Sequence, residues 1–81
     1  MDKNGTNLSI FHVNIQGINS NFNELRVLIE VLSVKPDVFI CTETWNIKCL
    51  NLFQIYGYDV YYSEGAVNAA DGILVYIKKN F

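Results

Sequence analysis

The sequence predicts an α/β fold: a βαβ unit followed by an antiparallel β-hairpin, all in one mixed sheet. Three observations predict it. Phe22, Leu25, Leu28, Ile29 and Leu32 recur at helical spacing and make one apolar stripe. Val38, Phe39, Ile40 and Cys41 are consecutive and apolar, which is the pattern of a strand covered on both faces. Two further runs, "YDVYYS" and "ILVYIK", are rich in β-branched and aromatic residues and have no helical pattern between them.

Residues 1–7 are polar and are expected to fray, leaving 8–81 as one domain. "LSIFHV", Leu8 to Val13, reads as the first strand. "NIQGINSN" is rich in Asn, Ser and Gly and reads as a loop. Asn21 then reads as the N-cap of the helix, with Glu24 three residues on as in a capping box. Pro36 is expected to stop that helix, because the residue before a proline is pushed out of helical geometry. "DVFICT" follows as a central strand parallel to the first, and the unit closes within about 35 residues with a right-handed crossover. Tyr58 to Ser63 and Ile73 to Lys78 are the hairpin strands, joined through a turn at "EGAVNAADG".

Composition narrows the function. A chain of 81 residues buries only about 60–65% of the surface it exposes when unfolded. Yet 51% of the residues are hydrophobic and 17% are charged, which leaves more apolar surface than so small a core takes up. A fragment whose sheet is covered by something else explains this, and so does a tight dimer. An uncovered sheet of this kind invites self-association. The net charge of −2 and the lack of any basic run beyond Lys78-Lys79 imply little nucleic-acid affinity for this chain by itself. Cys41 and Cys49 fit neither a disulfide scaffold nor a paired zinc motif, and Cys41 reads as a small core residue. The polar start "MDKNGTN" is no secretion signal, and no apolar run reaches the ~20 residues that span a bilayer, so an intracellular protein, nuclear or cytoplasmic, is expected.

Ligands of α/β sheets bind beyond the carboxyl ends of parallel strands. Asn14 ends the first strand and Glu43 the second, so the two are expected to meet on one edge. A carboxylate there suits a hard cation such as magnesium, which takes oxygen ligands. Read from spacing alone, Glu43 is equally a solvated loop acid or a helix cap, and Asn14 a turn former.

These same residues carry a resemblance. Asn14-Ile15-Gln16-Gly17 after a strand, a helix rich in Leu and Glu, Pro36-Asp37 before a short apolar strand, and Thr42-Glu43-Thr44-Trp45 at its end occur in that order. Gly57-Tyr58 before a strand and Gly72 before "ILVYIKK" follow. The series resembles the start of the endonuclease/exonuclease/phosphatase superfamily, and most of all the apurinic-endonuclease-like domain of non-LTR (LINE-type) retrotransposons. The likeness runs from about Leu8 to the end. It implies a partial half of a four-layer α/β sandwich. It implies that Glu43 binds Mg²⁺ at a scissile phosphate, that Asn14 helps organise phosphate and metal, and that Gly17 is a structural glycine.

The resemblance implies hydrolysis of phosphodiester bonds, with DNA as partner of the complete domain. The family supplies its remaining groups from a Tyr, an Asp-x-Asn element and a terminal Ser-Asp-His element, all further downstream, and none of those elements is present; Tyr56, Tyr58, Tyr61, Tyr62 and Tyr76 are read as core and surface aromatics of strands. His12 lies in the first strand and is read as a hydrogen-bonded structural residue, Trp45 as a packing residue and Asp71 as a turn residue. Ala69, Ala70 and Asp71 stand where the family often has glycine. The expectation is therefore the N-terminal fragment of a retrotransposon-derived, Mg-dependent endonuclease, inactive alone. The alternatives are a non-enzymatic relic or small interaction module, and a fragment of another branch, such as a deoxyribonuclease, a lipid phosphodiesterase or an inositol phosphatase.

Overall fold

The structure, a computed structural model, describes residues 8–45, 47–64 and 71–79. The expected frayed segment 1–7, and Ala69 and Ala70 of the hairpin turn, lie outside the described residues. In chain order the elements are β1 (Ile10–Asn14), α1 (Ile18–Val31), β2 (Val38–Thr42), the 3₁₀ turn η1 (Leu50–Phe53), β3 (Tyr58–Ser63) and β4 (Ile73–Lys78). They form a four-stranded mixed sheet in the order β1-β2-β4-β3. β1 and β2 are parallel, with Ile10 beside Val38 and Asn14 beside Thr42. β4 is antiparallel to both β2 and β3. The α/β class, the central place of β2 and the antiparallel hairpin are as the sequence predicts.

One face of the sheet carries the core. Side chains alternate along each strand, and Phe39, Cys41, Leu74, Tyr76 and Tyr58 all point to the same side, where they are buried. Ile18, Leu25 and Ile29 of α1 and Phe53 of η1 close over them. The aromatic rings interlock: Phe11 stacks on Phe39 at 5.2 Å, and Tyr58 meets Tyr76 edge-on at 6.4 Å. Tyr58 donates its hydroxyl proton to the Pro36 carbonyl and Tyr76 to that of Phe53, at 2.6 and 2.7 Å. Burial therefore leaves neither phenol unpaired, as a buried polar group requires. The Cys41 thiol is fully enclosed, and desolvation pushes its pKa up from 9.0 to about 12.

Two helix boundaries differ from the sequence reading. α1 begins at Ile18, three residues before the expected N-cap Asn21. Ile18 is completely buried, so the core draws it into the first turn. The amides of Gly17 and Ile18, which a helix start leaves without internal partners, donate instead to the carbonyls of Glu43 and Thr44 at 2.9 and 3.1 Å. Asn21 lies inside the helix and does not cap it; its Nδ2 reaches back to the carbonyls of Ile15, Gln16 and Gly17. Glu24 accordingly closes no capping box.

The helix also ends at Val31, well before Pro36. Lys35 ends it: Nζ donates to the carbonyls of Ile29, Glu30 and Leu32 at 2.8, 3.0 and 2.8 Å. A cation there satisfies the last carbonyls and complements the helix dipole.

Candidate functional site

β1 and β2 finish side by side because their parallel register aligns Asn14 with Thr42. The ladder then runs past both strands. The Ile15 amide donates to the Thr42 carbonyl at 2.9 Å, and the Gly17 amide to that of Glu43, so the two loops leave the sheet as one bonded pair. This brings together the two residues singled out in the sequence. Asn14 Nδ2 donates to Glu43 Oε2 at 2.8 Å, and both side chains are exposed at the sheet edge. Next to them His12 Nε2 lies 3.1 Å from Thr42 Oγ1. His12, Asn14 and Thr42 share the sheet face opposite the core, because they alternate with the core-facing Phe11, Val13 and Cys41.

The backbone of this corner is unusual. Gln16, Glu43 and Trp45 adopt left-handed φ values of 49°, 56° and 65°. Each such residue without glycine's freedom costs about 1 kcal/mol. Strain of this kind clusters at functional sites and persists where the surroundings over-determine it. Here they do.

Thr44 is wholly buried, its amide donates to the Gly72 carbonyl at 3.2 Å, and its hydroxyl donates to the Trp45 carbonyl at 3.2 Å. Gly72 has φ +126° and sits so close beneath Thr44 that a Cβ there would lie 2.5 Å from Oγ1. The Trp45 indole in turn lies on Gly17, where a Cβ would approach the ring to 2.8 Å. Gly17 is thus structural, and Trp45 packs, although 44% of it remains exposed. Thr44 and Gly72 appear in the sequence only as motif positions; that the two pack against each other has no local signal.

The arrangement gives one carboxylate whose second oxygen, Oε1, is not the acceptor of the Asn14 bond, and one amide that fixes its orientation. Magnesium needs near-octahedral oxygen coordination, commonly with one or two carboxylates and several waters. Among the described residues no group of three His, Cys, Asp or Glu side chains gathers as a metal cluster. The described residues therefore do not make a metal site by themselves; Glu43 offers a single carboxylate at this edge. Asp71 is half-buried beside Gly72 and completes no such group with Glu43.

Three of the basic residues serve other ends. Lys35 caps α1, Arg26 lies 3.4 Å from Glu30, and Lys79 lies 3.4 Å from Asp59. No described helix is long and apolar enough to cross a membrane. Comparison with protein-family models and with curated proteins finds no match to this chain.

Proposed function

We propose that the chain is the N-terminal part of a Mg-dependent phosphodiester hydrolase of the endonuclease type, retrotransposon-derived and inert alone. The observation that supports this reading is the Asn14–Glu43 hydrogen bond at the carboxyl ends of two adjacent parallel strands. That is the place where the resemblance expects a phosphate- and metal-organising asparagine beside a metal-binding glutamate. In a complete site magnesium supplies charge stabilisation at the phosphoryl oxygens. This chain's share of the work is to hold Glu43 in a fixed orientation through Asn14 and the Thr44–Gly72 clamp. The histidine beside them, His12, is engaged with Thr42 Oγ1 at 3.1 Å, and the resemblance expects the water-activating groups in downstream elements that this chain lacks, so turnover by the 81-residue chain is not expected.

Two measurements test the reading. The purified chain with magnesium should leave a supercoiled plasmid intact; nicking that is lost on Glu43→Gln would overturn the expectation of inertness. The nucleotide sequence beyond the Phe81 codon tests the family. Coding for Asp-x-Asn and Ser-Asp-His elements in that order supports it, and their absence from all three frames counts against it.

A second reading, a non-enzymatic interaction module, rests on the sheet face opposite the core. Ile10, Val38, Ile40, Val75 and Ile77 lie on that face, and no described element covers it. A sheet face this apolar is ordinarily packed against another layer.

A further inference from the structure

The outer edge of β3 is built to pair with another strand. The Lys79 amide donates to the Gly57 carbonyl at 2.9 Å, which makes Gly57 and Lys79 a hydrogen-bonded pair of the β3–β4 ladder. Bonded pairs alternate in an antiparallel ladder. Asp59, Tyr61 and Ser63 therefore turn their N–H and C=O groups toward β4, and Tyr58, Val60 and Tyr62 turn theirs outward. The Tyr58 amide is taken by the Ile55 carbonyl at 3.0 Å. Among the described residues no backbone group takes up the outward N–H and C=O of Val60 and Tyr62, since β3 ends the sheet. A groove of about 860 Å³ lies at this edge, lined among others by Leu50, Ile55, Tyr56, Tyr58 and Val60.

Proteins guard exposed edges with lysine, proline, bulges or very short strands. β3 has six residues, all paired in unbroken register with β4, and contains neither lysine nor proline; its one charged residue, Asp59, is neutralised by Lys79 at 3.4 Å. We propose that this edge is a self-association surface, on which β3 of a second copy of this chain docks antiparallel about a two-fold axis to make one continuous sheet. The inference is independent of the phosphodiesterase reading.

Charge excludes one register, and the side chain brought to the groove decides between the two that remain. A two-fold axis through Val60 lets the two Val60 residues exchange N–H···O=C bonds, and sets each Tyr62 amide opposite the Tyr58 carbonyl of the second copy. It sets Asp59 opposite Tyr61 of the second copy, on the face where Lys79 already lies 3.4 Å from Asp59. An axis through Asp59 would set the two carboxylates directly opposite, which is destabilising, and an axis through Tyr61 would bring Glu64 of the second copy, a carboxylate, beside Tyr58 and the groove. With Val60 at the axis, Tyr62 of the second copy comes to lie beside Tyr58 at the mouth of the groove. The groove thus receives an aromatic side chain from the same strand that builds its wall.

Sedimentation of the purified chain over a wide concentration range, with parallel hydrogen exchange, tests this. The apparent mass should rise with concentration to that of two chains. Val60→Pro removes an outward N–H and leaves the ladder to β4 intact, so it should abolish the rise while the circular dichroism stays that of the parent. Val75→Lys, on the uncovered face, should leave the rise in place. A chain that stays monomeric throughout overturns the proposal. So does a dimer that survives Val60→Pro but is lost in Val75→Lys, since that dimer packs through the sheet face. If Val60→Pro fails to fold, exchange in the parent decides. The Val60 and Tyr62 amides should slow as concentration rises while those of Asp59 and Tyr61 do not change; dimers without that slowing refute edge pairing.

Discussion

Asn14 holds Glu43 across the ends of two parallel strands through a single 2.8 Å hydrogen bond, although 29 residues separate them in the chain. The bond is exposed, so its contribution to stability is modest. Its geometry nonetheless makes it a sharp probe of the corner. Asn14→Ala should cost about 0.5–1.5 kcal/mol in urea unfolding, as the loss of one ordinary hydrogen bond does. Asn14→Asp should cost more at neutral pH, because it sets a second carboxylate against Glu43. That excess should vanish when acid lets the pair share a proton. Equal effects of the two substitutions at neutral pH would show that the bond does not persist in solution.

Gly72 and Gly57 both have positive φ, +126° and +90°, but different surroundings. A Cβ at Gly57 meets nothing within 4 Å, so Gly57→Ala should cost only the backbone penalty of about 1–2 kcal/mol. A Cβ at Gly72 meets Thr44 Oγ1 at 2.5 Å and the Trp45 carbonyl at 3.3 Å. Gly72→Ala must also displace a fully buried side chain, and should cost ~3 kcal/mol or more. Thermal melts of the two variants give the comparison.

Lys35 closes α1 through three carbonyls. Lys35→Met keeps most of the aliphatic stem and removes the charge and the donors. It should lower stability by about 1 kcal/mol. Glu30, already paired with Arg26 on the exposed face, serves as a control site where substitution should move the melt by no more than about 0.5 kcal/mol.

Alkali should unfold this protein early. The folded Cys41 thiol is pushed up from 9.0 to about 12 by burial. Between those pH values the unfolded chain releases the proton and the folded chain keeps it, so unfolding gains ground as pH rises. Below 9.0 both forms hold the proton and full stability is retained. Tyr76, raised by burial and then by Cys41, and Tyr58, raised by burial and then by Asp37, act in the same direction from 10.0 upward. Melts on either side of pH 9.0 measure the effect. Alkylation provides a second check: the exposed Cys49 should react in the native protein, and the buried Cys41 only on unfolding.

The strands were legible because their signal is local. Tyr58–Ser63 and Ile73–Lys78 match the expected bounds residue for residue, since alternation and β-branching fix them. The meeting of Asn14 with Glu43 was legible at one remove, through the expectation of parallel neighbours. The start of α1 was not, because what satisfies its first amides is the pair of carbonyls at Glu43 and Thr44, far along the chain. The buried Thr44 was hidden for a related reason: nothing near it announces that Gly72 will pass beneath. Left-handed φ at Glu43 and Trp45 has no compositional mark at all, as neither residue type favours that geometry. η1 is equally silent; it exists where Phe53 turns inward to receive the Tyr76 hydroxyl on its carbonyl.

Trp45 is the one tryptophan of the chain, and its indole rests on the Gly17 backbone while its outer part meets solvent. The corner consequently carries its own optical label. Emission from that ring will respond when the Gln16–Gly17 loop shifts against the Glu43 loop, and when a charged solute settles beside the carboxylate. Titrating cations or nucleotides against the unmodified protein can then follow events at this corner directly, without any attached dye.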